Sequence, residues 1–185
     1  MDAPKPTPAD SSRLCNACGL CCREELFDFV WVEEEERAPL EGLGLEIYRG
    51  KDDRLRFDLT CRRYSGSCCE IYADRPAACR AFRCKLLRAY EAGKVEEADA
   101  LDRVSEAHAL IEKAGAMLEP GQTLRRSTWK PMIERWQNEA ENNTLSPRFA
   151  AGFLALLRLN RFLDVHFRDG APPVGRGENP EPKAD

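Results

Sequence analysis

Nine cysteines fall between Cys15 and Cys84 of this 185-residue chain, and four of them share the octapeptide CNACGLCC, residues Cys15–Cys22. A hydrophobic core does not require such crowding, because any small apolar side chain fills space as well as a thiol. The thiols therefore bond to one another or to something else. A disulfide scaffold suits a short secreted chain. Here the opening MDAPKPTPAD has no apolar stretch of the kind a secretory signal carries. The cysteine count is odd, and no cysteine follows Cys84. The expectation is a cytoplasmic chain, where thiols stay reduced, whose cysteines ligate a metal.

Thiolate is a soft ligand that suits zinc, copper(I) and iron–sulfur clusters rather than magnesium or calcium. Cys15, Cys18 and Cys21 follow C-x2-C-x2-C, a spacing that wraps a loop around a cubane cluster. A mononuclear zinc site needs one C-x2-C pair and takes its other ligands from afar. Gly19 serves either case, since it permits a tight turn. The neighbours Cys21 and Cys22 diverge, so they are expected to serve different sites or one polynuclear centre, and Cys68 with Cys69 poses the same problem. On one continuous helix, Cys79 and Cys84 stand roughly 140° apart around the axis. They both ligate only if the helix starts late or ends early, or if they serve different centres. Nine thiols fill two four-ligand sites with one spare, or a cluster plus a zinc, or one multinuclear centre. Arg62, Arg63, Arg75, Arg80, Arg83 and Lys85 surround the later cysteines and are suited to neutralising a thiolate centre. The alternative for each is a solvated basic helix face.

The remaining pattern predicts an α+β fold: a small cysteine-rich domain with short strands and a helix, followed by a mainly helical C-terminal half. Residues 1–12 and 171–185 read as disordered tails, 13–93 as the cysteine-cluster domain, and 94–170 as a helical region packing on it. LFDFVWV (Leu26–Val32) reads as a strand and Leu45–Leu59 as a hairpin, with Leu55, Phe57 and Leu59 alternating after a turn. EEEE at Glu33–Glu36 reads as a solvated edge or turn. Pro76 starts a helix that Gly93 stops. Three amphipathic stripes follow: Leu101, Val104, His108, Ile111 and Leu118; Trp129, Met132, Ile133, Trp136 and Ala140; Phe149, Phe153, Leu156, Asn160, Leu163 and Phe167. Hydrophobic residues make up 43% of the chain, enough for a core to bury them.

CNACGLCC followed by CRRYSGSCCEIYADRPAACRAF resembles the CxxCxxCC family of zinc- or iron-chelating cysteine-cluster proteins. The family pattern C-x2-C-G-x-C-C falls on Cys15, Cys18, Gly19, Cys21 and Cys22. Cys61 follows, and C-x-I-Y-x-x-R-P-x-x-C-R falls on Cys69, Ile71, Tyr72, Arg75, Pro76, Cys79 and Arg80. The match covers about residues 13–90. It implies a bound zinc or iron, with an iron–sulfur cluster as the form suggested by the related flagellin lysine N-methylases. Cys68 is an extra cysteine against the pattern, and Cys84 has no firm counterpart in it. The expected metal ligands are Cys15, Cys18, Cys21, Cys22, Cys61, Cys69, Cys79 and Cys84, with Cys68 spare. Arg75 and Arg80 are the side chains assigned to the bound group.

His108, on an apolar helix face, reads as a hydrogen-bonded core or interface histidine, and as a ligand only if its helix packs on the cysteine block. His166 suits a helix C-terminus. The net charge of −4 gives no general attraction to nucleic acid, and the Arg125–Arg126 pair is too short to supply one. No apolar run approaches the roughly 18 residues a membrane span needs. No phosphate loop, nucleophile elbow or dinucleotide fingerprint occurs. Three classes of function remain: a metal-binding module, with the helical half available to a protein partner; an iron–sulfur enzyme, with methyl transfer as the analogy; and a thiol redox sensor.

Overall fold

A computed structural model describes residues 7–118, 124–142 and 147–168. Its elements are α1 (Pro8–Cys18), β1 (Phe29–Trp31), α2 (Glu34–Gly42), β2 (Tyr48–Arg49), β3 (Leu55–Asp58), α3 (Ala77–Ala81), α4 (Lys85–Glu91), α5 (Glu97–Gly115), α6 (Arg126–Glu141) and α7 (Pro147–His166). The α+β expectation holds: one small sheet and a set of helices that dominates the C-terminal half.

Alternation makes β3 the central strand. Leu55 and Phe57 point into the core while Asp58 faces solvent. β1 and β2 pair antiparallel on either side of it, with Val30 opposite Phe57 and Tyr48 opposite Arg56. The strand expected within Leu26–Val32 and the hairpin expected over Leu45–Leu59 are the parts of this sheet.

The helices depart from expectation in four places. Pro8–Ser12, read as tail, begins α1, whose buried Leu14 and Cys18 lie one turn apart on a single face. The tail calls on residues 1–6 and 171–185 fall outside the described residues. The glutamate run opens α2 instead of lying along an edge, because carboxylates favour a helix N-terminus. The backbone N–H of Glu33 donates to Glu36 Oε2 at 3.3 Å. The helix expected between Pro76 and Gly93 breaks at Phe82, which is extended (φ −66°, ψ 131°). The Phe82 ring packs edge-on against Phe27 with centroids 4.5 Å apart, and Arg83 donates to the carbonyls of Arg80 and Phe82. Finally, the buried stripe of α5 is rotated toward Ala100, Val104, Ala107, Ile111 and Ala114, leaving Leu101 37% exposed. Alanines at this seam let α5 approach both α1 and α7.

The apolar interior forms two clusters. One is helical and joins Leu14 of α1, Leu86 and Leu87 of α4, the α5 stripe, Trp129, Ile133 and Trp136 of α6, and Leu156, Leu159 and Leu163 of α7. The other is built on the sheet from Val30, Val32, Leu40, Leu45, Ile47, Leu55, Phe57, Leu59 and Ile71. The side chain of Phe149, assigned to the third stripe, falls outside those described. No helix among the described residues is long and apolar enough to cross a membrane.

Candidate functional site

α1 ends at Cys18, and the chain turns through residues 19–25 before entering the sheet. Gly19 takes φ +62°, and a Cβ there would lie 2.0 Å from the hydroxyl of Tyr64. No other residue fits both the backbone and the space. Leu20, fully buried, pegs the turn into the helical core. Arg168 ties it down from the end of α7 by donating to the carbonyl of Glu25. His108 of α5 bonds the carbonyl of Cys18 through Nε2 at 2.7 Å, so it orients the cysteine backbone from behind.

The later cysteines arrive on three supports. Cys61 donates its N–H to the carbonyl of Cys22 at 2.8 Å, and the loop after it closes with a bridge between Tyr64 and Cys69. α3 carries Cys79. Its first amide, on Ala77, donates to Glu36 Oε1 at 2.7 Å, so the glutamate run anchors the helix that presents this thiol. Cys84 caps α4, with its sulfur accepting from Leu87 N at 3.4 Å. The α4 amide of Lys85 donates to the carbonyl of Phe167 at 3.0 Å.

Eight thiols line one cavity of about 300 Å³: Cys15, Cys18, Cys21, Cys22, Cys61, Cys69, Cys79 and Cys84. Cys68 is outside it, exposed, with its sulfur 3.3 Å from Ser65 Oγ. None of the nine is in a disulfide. Within the cavity the thiols divide. Cys18 belongs to the helical core, with Cys15, Cys21 and Cys84 packed against it. Cys61 belongs to the sheet core, with Cys22, Cys69 and Cys79 packed against it.

Desolvation dominates the electrostatics. It pushes the Cys15 thiol up to about 11, helped by Cys84, and the Cys79 thiol up to about 12, helped by Cys61. Burial also raises Cys18, Cys21, Cys22, Cys61 and Cys69. Among the cavity thiols the mutual repulsion is strongest within each group, and it also crosses between Cys21 and Cys22. Cys84 is the strongest thiol neighbour of Cys15, Cys18 and Cys21, whereas Cys22 feels Cys61, Cys69 and Cys79 before Cys15. Thiols so disfavoured as anions stay protonated unless a cation compensates them, and a set of thiols suits a soft cation. Among the described residues, no three Cys, His, Asp or Glu side chains already converge on a point where an ion could be held. Each thiol can turn about one side-chain torsion within the shared cavity.

The two arginines assigned from sequence diverge. Arg75 lines the cavity, lies 3.5 Å over the Tyr72 ring, donates to the Tyr72 carbonyl and favours the anions of Cys15, Cys69 and Cys79. Arg80 turns away, 3.6 Å from Glu36 with half its side chain exposed. Its guanidinium donates to the Arg75 carbonyl, and it is a support for α3. Arg83 lines the cavity in its place and also favours the Cys15 anion. Sequence spacing did not single out Tyr64 or Glu36. Tyr64 could be found only through its fit over Gly19, a contact between segments. For Glu36 the signal was its place three residues after a helix-starting Glu33.

The sequence model of one family, CxxCxxCC, described as a putative zinc- or iron-chelating domain, matches residues 14–105. No curated protein and no solved structure matches the chain.

Proposed function

From a chain whose residues 14–105 are a CxxCxxCC domain, we propose that the protein chelates zinc or iron through cysteine thiolates. The observation that carries this reading is the gathering of eight of nine thiols, from segments as distant as Cys15 and Cys84, around one cavity without a disulfide. The residues that would hold the metal are Cys15, Cys18, Cys21, Cys22, Cys61, Cys69, Cys79 and Cys84. Bound metal would supply the cross-links that a small sheet core lacks. Arg75 and Arg83 offset thiolate charge, and the hydrogen bond from His108 to the Cys18 carbonyl fixes the first ligand turn.

One observation favours an iron–sulfur centre at part of this site. Cys15, Cys18 and Cys21 have cluster-type spacing, and they pack on the same core as the remote Cys84. A redox sensor works through exposed, low-pKa thiolates, whereas burial raises most thiols here.

The test is metal and acid-labile sulfide content, with an absorption spectrum, on protein purified without oxygen. Stoichiometric zinc or iron is expected. Iron with sulfide and a broad visible band supports the cluster form. Protein that retains neither metal, and takes up neither when refolded with them, overturns the reading.

A further inference from the structure

The eight cavity thiols come from two different cores, and the backbone keeps them apart. Cys21 and Cys22 are joined by one peptide bond, yet Cys21 packs on the helical core and Cys22 on the sheet core. Consecutive side chains in an open turn leave the backbone in different directions, so this pair cannot close on one ion without strain. Cys79 and Cys84 repeat the pattern. The break at Phe82 puts Cys79 on α3, which packs on β1, and Cys84 on α4, which packs on α1 and α5. Cys61 is fastened to the Cys22 carbonyl and shares its loop with Cys69. Cys15 and Cys18 share the last turn of α1. Each core thus receives four thiols, the number that closes a tetrahedral thiolate site.

We infer that the cavity holds two separate four-cysteine centres: Cys15, Cys18, Cys21 and Cys84 on the helical core, and Cys22, Cys61, Cys69 and Cys79 on the sheet core, joined through the Cys21–Cys22 peptide. The inference rests on the chelation reading and adds the number and membership of its centres. The grouping comes from packing on the two cores. For a divalent ion the balance is one cation taken up and four thiol protons released per centre, which leaves a complex of net charge −2. Arg75 lines the cavity that both groups share, held over the Tyr72 ring.

The experiment uses the full wild-type chain, freed of metal, reduced, and titrated with zinc(II) alone. At each step the unprotected thiols are alkylated with N-ethylmaleimide, and intact chains are sequenced by mass spectrometry. Chains carrying one zinc are expected to protect four thiols that all belong to one group. Chains carrying two are expected to protect all eight, and Cys68 is alkylated throughout. Four protected thiols drawn from both groups, or eight protected by the first ion, overturn the division while leaving chelation standing. Absence of protection at every zinc concentration, and also with iron(II) titrated in the same way without oxygen, overturns the chelation reading itself. The mutagenic counterpart is Cys84→Ser against Cys61→Ser, each expected to halve the zinc bound. Either variant losing both ions while circular dichroism still reports the native helix content overturns the division.

Discussion

The helical core and the sheet core receive four thiols each but differ in what stands behind them. Among the described residues the helical core buries 20 residues, with Trp136, Leu156, Leu159, Leu163 and Phe167 at 1% exposure or less. The sheet core buries ten, and its strands run to four residues at most. Burying an aliphatic or aromatic side chain contributes about 1.5–3 kcal/mol, so the helical side has apolar stabilisation to spare and the sheet side does not. Small folds with so little core depend on cross-links or metals. On the proposed division, the same ligand chemistry would decorate one core and complete the other.

Metal removal should break this symmetry most strongly, since structural zinc contributes about 10–16 kcal/mol in small sites. After chelation, hydrogen exchange followed by mass spectrometry should show β1, β3 and α3 losing protection while α5 and α7 keep theirs. Equal loss in both would sink the contrast. The converse perturbation is Trp136→Ala, which should lower stability by about 3–5 kcal/mol. In thermal melts with metal analysis, it should leave the metal content of the folded protein unchanged.

A pH dependence follows from the turn that leads out of α1. Burial raises the Glu25 carboxyl to about 7, against the opposing pull of Arg23. The folded state therefore keeps a proton that the unfolded chain releases near pH 4.5, and stability falls as pH rises through this window. The Glu25→Gln variant should lose that slope. The measurement is the difference in melting temperature between wild type and variant from pH 5 to 8, in which metal loss by acid cancels. A constant difference would refute the assignment.

Gly19→Ala should cost about 1–2 kcal/mol from the left-handed backbone alone, and it should also weaken metal binding by displacing Tyr64. Adding Tyr64→Ala should recover the affinity but not the backbone strain, which competition against a chromogenic chelator would separate. Smallest is Glu36→Ala, expected to cost about 1 kcal/mol, as a lost helix cap does. The cost should appear as faster exchange in α3 and should leave the helical core untouched.

Much of this architecture was legible in the sequence because it depends on local chemistry. The strand at Phe29–Trp31, the hairpin around Gly50–Asp53 and the helices from α5 onward follow from alternation and period. Cys68, the cysteine outside the family pattern, does not line the cavity. What could not be read depends on contacts between distant segments. Nothing within residues 76–93 signals a break, because Phe82 leaves the helix to meet Phe27, more than fifty positions earlier. The polar, proline-rich start gave no hint of α1, which takes its stability from packing on α5. The position of Arg80 has a related cause. A charge near a cysteine in sequence turned to Glu36, a partner that only the folded chain supplies.

Cys68 stands on the surface beside the Ser65 hydroxyl, while the other eight thiols line the cavity. If the other eight are bound to metal, it is the one thiol left outside the proposed ligand set, so a thiol-directed dye or spin label could be attached there without recoding the chain. The same exposure makes it the site at which two molecules would cross-link in air, and Cys68→Ser is the form of the protein to store.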